Sequence, residues 1–162
     1  MMKKRIKTGG ALILAVVLAI SAFIIPKAFA ADGVKVDANC SLTVDVTGTG
    51  YSELKTYPIT VSLYKVADIA VTGQYTSLVE DVVFTDINSE TTAEKWKEKT
   101  EAVVANLGDT AVTAKGDIVS GVVTINKDVN GNNLKPGLYL VNADTVNSDY
   151  YTYDFTPYLI SL

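Results

Sequence analysis

Lys65 is the residue of this 162-residue chain with the clearest capacity for covalent chemistry. In the stretch 57–68, Ile59, Val61, Leu63 and Ala67 hold the odd positions while Thr60 and Ser62 lie opposite, so alternation puts Lys65 on the apolar side of a strand. A buried ammonium without a partner costs several kcal/mol or gives up its proton. Two ordinary readings keep the charge: the stem reaches water near the strand end, or a bulge at Tyr64-Lys65 changes the parity. A third makes Lys65 a neutral, reactive amine poised for a crosslink.

Other chemistry is closed by composition. The chain has no histidine and one cysteine, Cys40, which excludes Ser-His-Asp and Cys-His catalysis, His-containing zinc sites and thiolate clusters. No Gly-rich loop follows a strand and opens a helix, so no phosphate cradle is present. Glu80-Asp81 reads as a solvated turn. The run 128–133 alternates acidic and amide oxygens like part of a calcium loop, but its glycine is out of place and Tyr139 stands where an acid should close it. Asn130-Gly131 reads instead as a tight hairpin turn. No catalytic residue, no metal and no cofactor are expected, and the protein is not expected to be an enzyme.

The elements that must position these residues are mostly strands. Residues 40–47 alternate Leu42, Val44 and Val46 against Thr43, Asp45 and Thr47, with Cys40 as a small buried residue at the start. Residues 74–79, 82–84 and 118–126 read as further strands, the last with a bulge at Gly121. Two extended segments, 137–143 and 150–161, carry five of the nine tyrosines and read as paired strands. Between 82–84 and 118–126, the stretch 91–107 changes to helical spacing, with Ala93, Trp96, Val103, Val104 and Leu107 on one face, a capping box from Thr91 to Glu94 and a stop at Gly108. Trp96 reads as the anchor docking this helix on a sheet, ahead of a ligand platform. The tally predicts a mainly β chain: an antiparallel β-sandwich with one inserted helix at about 91–107.

Residues 1–30 read as a secretory signal peptide: basic Lys3, Lys4, Arg5 and Lys7, an apolar run over 11–25, then Ala28-Phe29-Ala30 before a cleavage point. A membrane span would need about 20 apolar residues, and Pro26-Lys27 interrupts this run. The mature domain would be 31–162. Removing the leader takes five of the 14 basic and none of the 18 acidic residues, leaving a net charge of −9. That balance argues against nucleic acid and anionic lipid as partners, with the membrane met only through the leader. With no disulfide available inside the chain, stability must come from a large core or another covalent link.

The stretch Lys135-Pro136-Gly137-Leu138-Tyr139-Leu140-Val141 resembles the "PG-x-Y-x-L" strand near the end of Cna-B-type and pilin domains of Gram-positive bacteria. The endings 63–68 and 153–162 are also similar to N-terminal domains of secreted, sortase-anchored pilins. The resemblance implies an immunoglobulin-like sandwich in a fimbrial shaft or surface adhesin. It also implies a self-formed isopeptide bond between Lys and Asn or Asp, promoted by a buried acid. Carried onto this chain, Lys65 is the nucleophile, Asn142, sharing a face with Leu138 and Leu140, is the best-placed amide, and Asp154 is the alternative. The acid of the family's "Y-x-L-x-E" register is missing, since Tyr139, Val141 and Ala143 occupy it, and Asp144 points to the opposite face.

The function expected is a secreted structural subunit or adhesin domain of a Gram-positive fimbria or cell surface, without turnover. Its partners would be other pilin subunits or a host surface ligand, with sortase involved only if the chain continues past Leu162. The pilin intersubunit lysine motif is absent, and the expectation is of a truncated frame or one domain of a longer protein. The alternative is a freely secreted module that binds a glycan or host protein through its Tyr-rich end, with Tyr150 and Tyr158 as ligand contacts. Packing is the competing role for those rings, since alternation puts Tyr151, Tyr153 and Phe155 on one face.

Overall fold

The computed structural model describes residues 33–162 except 49 and 51, together with the backbone of two N-terminal strands, β1 (Met2–Ile6) and β2 (Leu14–Val16). Apart from those strand backbones, the expected leader, with most of its apolar run and its cleavage site, lies outside the described residues.

The alternation in 57–68 produces the longest strand, β4 (Ile59–Ile69), and the main sheet is assembled around it. Its first half pairs antiparallel with β6 (Ala114–Ile118) and its last residues with β5 (Tyr75–Ser77). On its other side lies β8 (Leu138–Ala143), which in turn pairs with β11 (Tyr158–Ser161). Both faces of this sheet are covered. Ile59, Val61 and Leu63 enter one core, while Val66, with Leu138 and Leu140, enters a second on the opposite side. Each fully buried aliphatic side chain of this kind stabilises the fold by roughly 1.5–3 kcal/mol.

The first core is closed by β3 (Leu42–Asp45) paired with β7 (Val122–Ile125), by Leu54 of a short 3-10 helix (Ser52–Thr56), and by Val146 and Tyr153. The last two belong to β9 (Val146–Asn147) and β10 (Tyr151–Phe155), which pair with each other. On its other edge β10 pairs with β1, and β1 with β2. The second core is closed by the single described helix, α1 (Ala93–Asn106), and by Val79, Val82 and Phe84 of the preceding connection. The chain is thus mainly β, with antiparallel sheets in a sandwich-like layering and one helix inserted, as the sequence predicts.

The helix stops as expected, with Gly108 at φ +51° beyond Leu107, but it starts one residue later than the expected Thr91–Glu94 box. Thr92 is the cap, its hydroxyl accepting from the Lys95 N–H at 3.3 Å, while Thr91 Oγ1 accepts from the Asn88 N–H. Trp96 and Leu107 pack against the second core, while Lys99 ties the helix to the connection through Asp86 at 2.8 Å.

Three expectations for the strands need correction. Residues 82–84 form no strand; Val82 and Phe84 are tucked beneath the helix instead. Residues 118–126 are not one bulged strand but the turn and second arm of a hairpin. Ser120 and Gly121 both take positive φ, 55° and 92°, the geometry of a two-residue hairpin turn, and the first arm is β6. The segment 150–161 is also two strands, broken at Thr156-Pro157, and the halves enter different sheets. The missing N–H of proline makes it a natural break in a ladder. The turn expected at Asn130-Gly131 is present, with Gly131 at φ +85° and Lys127 bridged to Asn133.

Candidate functional site

Lys65 sits where β4 loses its regular register. Lys65 faces Tyr139 across β8, but Ala67 faces Leu138, so the chain slips between Lys65 and Ala67. The bulge expected at Tyr64-Lys65 lies instead just beyond Lys65, so Lys65 keeps the face that alternation gives it. It turns Ala67 into the second core while Lys65 stays on the side of Tyr139 at the margin of the first. The Lys65 N–H donates to Thr113 Oγ1 at 2.8 Å, and Nζ meets Asp68 Oδ1 at 2.6 Å. The Lys65 side chain is 22% exposed and that of Asp68 57%, so the ion pair lies at the solvent edge. Such a pair contributes about 0–1 kcal/mol; its role is to give the charge a partner at little cost.

The stem of Lys65 lies across Gly137. A Cβ added there would come within 2.5 Å of Lys65 Cε and 2.8 Å of the Ala67 carbonyl oxygen. The Pro-Gly before β8 is therefore required by a crossing side chain and a neighbouring backbone. The Gly137 N–H donates to the Leu162 carbonyl and the Leu162 N–H donates back to the Gly137 carbonyl, extending the β8–β11 ladder to this end. Tyr139 is 1% exposed, and its hydroxyl donates to the Lys135 carbonyl at 2.6 Å. Burial, with the nearby Cys40 adding to it, pushes the Tyr139 phenol up to about 12. Lys135 Nζ holds the Asp37 carbonyl at 3.1 Å and Asn39 Oδ1 at 3.2 Å, so the segment leading into β3 is clasped to the same end. Cys40, half-buried and bridged to Leu134, completes the cluster. Burial raises its thiol, and Lys135 and Lys65 pull it back.

The isopeptide candidates are not brought together. Asn142 lies opposite Ser62, three register positions from the Lys65–Tyr139 pair, roughly 10 Å along the strand. It also projects to the other face, since cross-strand partners share a face and Ser62 alternates away from Leu63. Asp154 is on β10, in another sheet, and accepts from Thr145 Oγ1 at 3.1 Å. The reactive reading of Lys65 therefore finds neither Asn142 nor Asp154 beside it, and Asp68 holds its Nζ as an ion pair. Chemically, the cluster is a clasp at one end of the fold.

The tyrosine candidates divide. Tyr150, in the turn between β9 and β10, is 73% exposed. Tyr158 is a half-buried packing residue. It pairs with Val141 and packs on the first core, its hydroxyl is buried with no hydrogen-bond partner among the described residues, and burial pushes its phenol up to about 12. Tyr151 and Tyr153 meet edge to face, centroids 6.2 Å apart at 62°, with Tyr153 fully buried. Asp128, the first oxygen of the calcium-like run, accepts the N–H groups of Asn130 and Asn132, so its carboxylate shapes the turn. Among the described residues no group of three or more acidic or cysteine side chains converges as metal ligands, and no helix is long and apolar enough to cross a membrane.

Asp68 and Gly137 were not singled out from the sequence as partners of Lys65. Side chains three apart on a regular strand point to opposite faces, and only the bulge lets Asp68 reach back to Lys65. The signal that could have found Gly137 was its place directly after Pro136 at the start of a strand.

Comparison with known proteins found no matching family model, curated protein or solved structure.

Proposed function

We propose that this protein is a secreted structural subunit or adhesin domain of a Gram-positive fimbria or cell surface, working without substrate turnover. The observation that carries this reading is the place of the motif behind the resemblance. Leu138–Val141 is the strand between β4 and β11, its four side chains are all buried, and Tyr139 is latched to Lys135. A shaft or display domain needs a stiff antiparallel framework held from its centre, and here the motif residues supply that centre. The acidic mature surface and the leader-like start support export to an aqueous exterior.

The test is fractionation of a Gram-positive host expressing the gene with its own N-terminus. The expected result is a processed chain in the medium or wall fraction, shortened by residues 1–30. An unprocessed chain held in the cytosol overturns the reading.

The exposure of Tyr150 favours a second reading, a freely secreted binding module. Glycan arrays and host-protein capture with the processed domain separate the two. Capture that Tyr150→Ala abolishes supports the module; assembly into heavier species without such capture supports the structural subunit.

A further inference from the structure

The two edges of β10 have different occupants. On one, the Ser148 N–H donates to the Tyr151 carbonyl at 2.8 Å and the Tyr151 N–H donates to Ser148 Oγ at 3.0 Å. Backbone groups alternate edges along a strand, so Tyr151, Tyr153 and Phe155 present theirs to the β9 side, while Thr152 and Asp154 present theirs to the opposite edge. That opposite edge carries β1 over its whole length, antiparallel, from Met2 facing Phe155 to Ile6 facing Tyr151. β1 lies inside the segment read as the leader.

We propose that on leader removal a second copy of this chain takes the place of β1, with β10 pairing to β10 across a two-fold axis through Tyr153. The proposal rests on residues 1–30 being removed. The segment Tyr151-Thr152-Tyr153-Asp154-Phe155 is self-complementary in that register. Tyr151 meets Phe155 of the second copy, Tyr153 meets its own equivalent, and Thr152 meets Asp154 of the second copy. Aromatic pairs are favourable cross-strand combinations, and with Thr152, whose hydroxyl already donates to Asn147 Oδ1 at 2.9 Å, opposite Asp154 of the second copy, no like charges oppose each other. Tyr151, Tyr153 and Phe155 all contact the first core, so the aromatic pairs would extend an apolar layer already ordered by the Tyr151–Tyr153 contact.

The edge is also built to pair. β10 contains no proline and no lysine, two devices that blunt an edge strand, and one charged residue, Asp154. The backbone geometry already accepts a five-residue antiparallel partner in continuous register. Because β9 and Ser148 hold the other edge at Tyr151, Thr152 and Tyr153, the edge left for a second copy is the one β1 occupies. The contact is isologous and closes at two copies.

Sedimentation of the secreted chain, 31–162, beside the full-length chain tests this. The expected result is a concentration-dependent dimer of the secreted chain and a monomer of the full-length chain. Thr152→Pro removes an N–H from the outer edge alone and is expected to weaken the dimer by at least about tenfold. Amide hydrogen exchange on the unsubstituted secreted chain keeps the test independent of that variant's folding. The Thr152 and Asp154 amides are expected to be protected at high concentration and to lose protection on dilution, while the Tyr151 amide is unchanged. A secreted chain that stays monomeric, or Thr152 and Asp154 exchange that ignores concentration, overturns the pairing. The mass of the exported chain reports separately on leader removal.

Discussion

At the scale of the residue, two glycines and two tyrosines of similar appearance should behave differently. Gly137→Ala places a methyl against the flexible end of Lys65, which can move, and the Ala67 carbonyl, which cannot. The expected cost is about 1–3 kcal/mol, read by chemical denaturation. Gly131→Ala meets nothing within 4 Å, so its cost comes from φ +85° alone, about 1–2 kcal/mol. A useful control is Gly137→Ala combined with Lys65→Ala, which should recover little of the loss if the carbonyl contact decides. Tyr139→Phe deletes the bond to the Lys135 carbonyl and should cost about 0.5–1.5 kcal/mol. Tyr158→Phe deletes a buried hydroxyl that finds no partner among the described residues, and should be neutral or stabilising by about 1 kcal/mol. Equal losses for the two tyrosine variants would contradict the assigned roles. None of these contrasts was open to the sequence. It placed Lys65 on the right face and named a bulge as one way out, but the partners of Lys65 and the state of each hydroxyl depend on strand register, which alternation alone does not determine.

At the scale of the element, local chemistry made the helix legible and long-range pairing hid the strands. The Thr cap, the apolar spacing and Gly108 are all contained in about twenty residues, so 91–107 anticipated Ala93–Asn106 closely. Thr92→Ala is expected to cost about 1 kcal/mol by leaving the Lys95 N–H without its acceptor, and thermal melting followed at Trp96 would show it. A fall no larger than that of an exposed control such as Glu101→Ala would count against the cap. Strand β6 was missed because Ala-Lys-Gly-Asp-Ile lacks β-branched alternation. It earns its place through pairing with β4 and through Gly116, where an added Cβ would sit 2.8 Å from Val123 Cγ2. The hairpin therefore folds its two arms face to face, into different sheets. The run 150–161 looked continuous because its composition is continuous. Pro157 was the available signal for the break, and what composition could not say is that the two halves serve different layers.

At the scale of the whole molecule, the pH range of stability is bounded by different groups on each side. On the acid side, hydrogen bonds from Thr47, Lys99 and Asn132 hold the carboxyls of Asp45, Asp86 and Asp128 respectively below their ordinary 3.8. Depressed carboxyls contribute stability that is present above the unfolded value and lost as pH falls through the folded one, so the acid limb should begin only below about 3.8. All three lie at the surface, which makes that limb shallow and sensitive to salt. On the alkaline side the groups are interior. Tyr139 and Tyr158 have phenols raised from 10.0 to about 12, chiefly by burial, and burial raises Tyr75 as well. In the unfolded chain these phenols ionise near 10, whereas the folded chain must keep them neutral. Their contribution is therefore complete below pH 10 and lost as pH rises from 10 towards 12. Phenolate absorbance combined with denaturation at each pH would show this as a steep loss of stability over that window, with part of the tyrosine signal rising only as the fold is lost. Replacing both Tyr139 and Tyr158 with Phe should flatten the alkaline limb and leave the acid limb where it was. A limb that keeps its steepness without the two hydroxyls would remove Tyr139 and Tyr158 from the explanation.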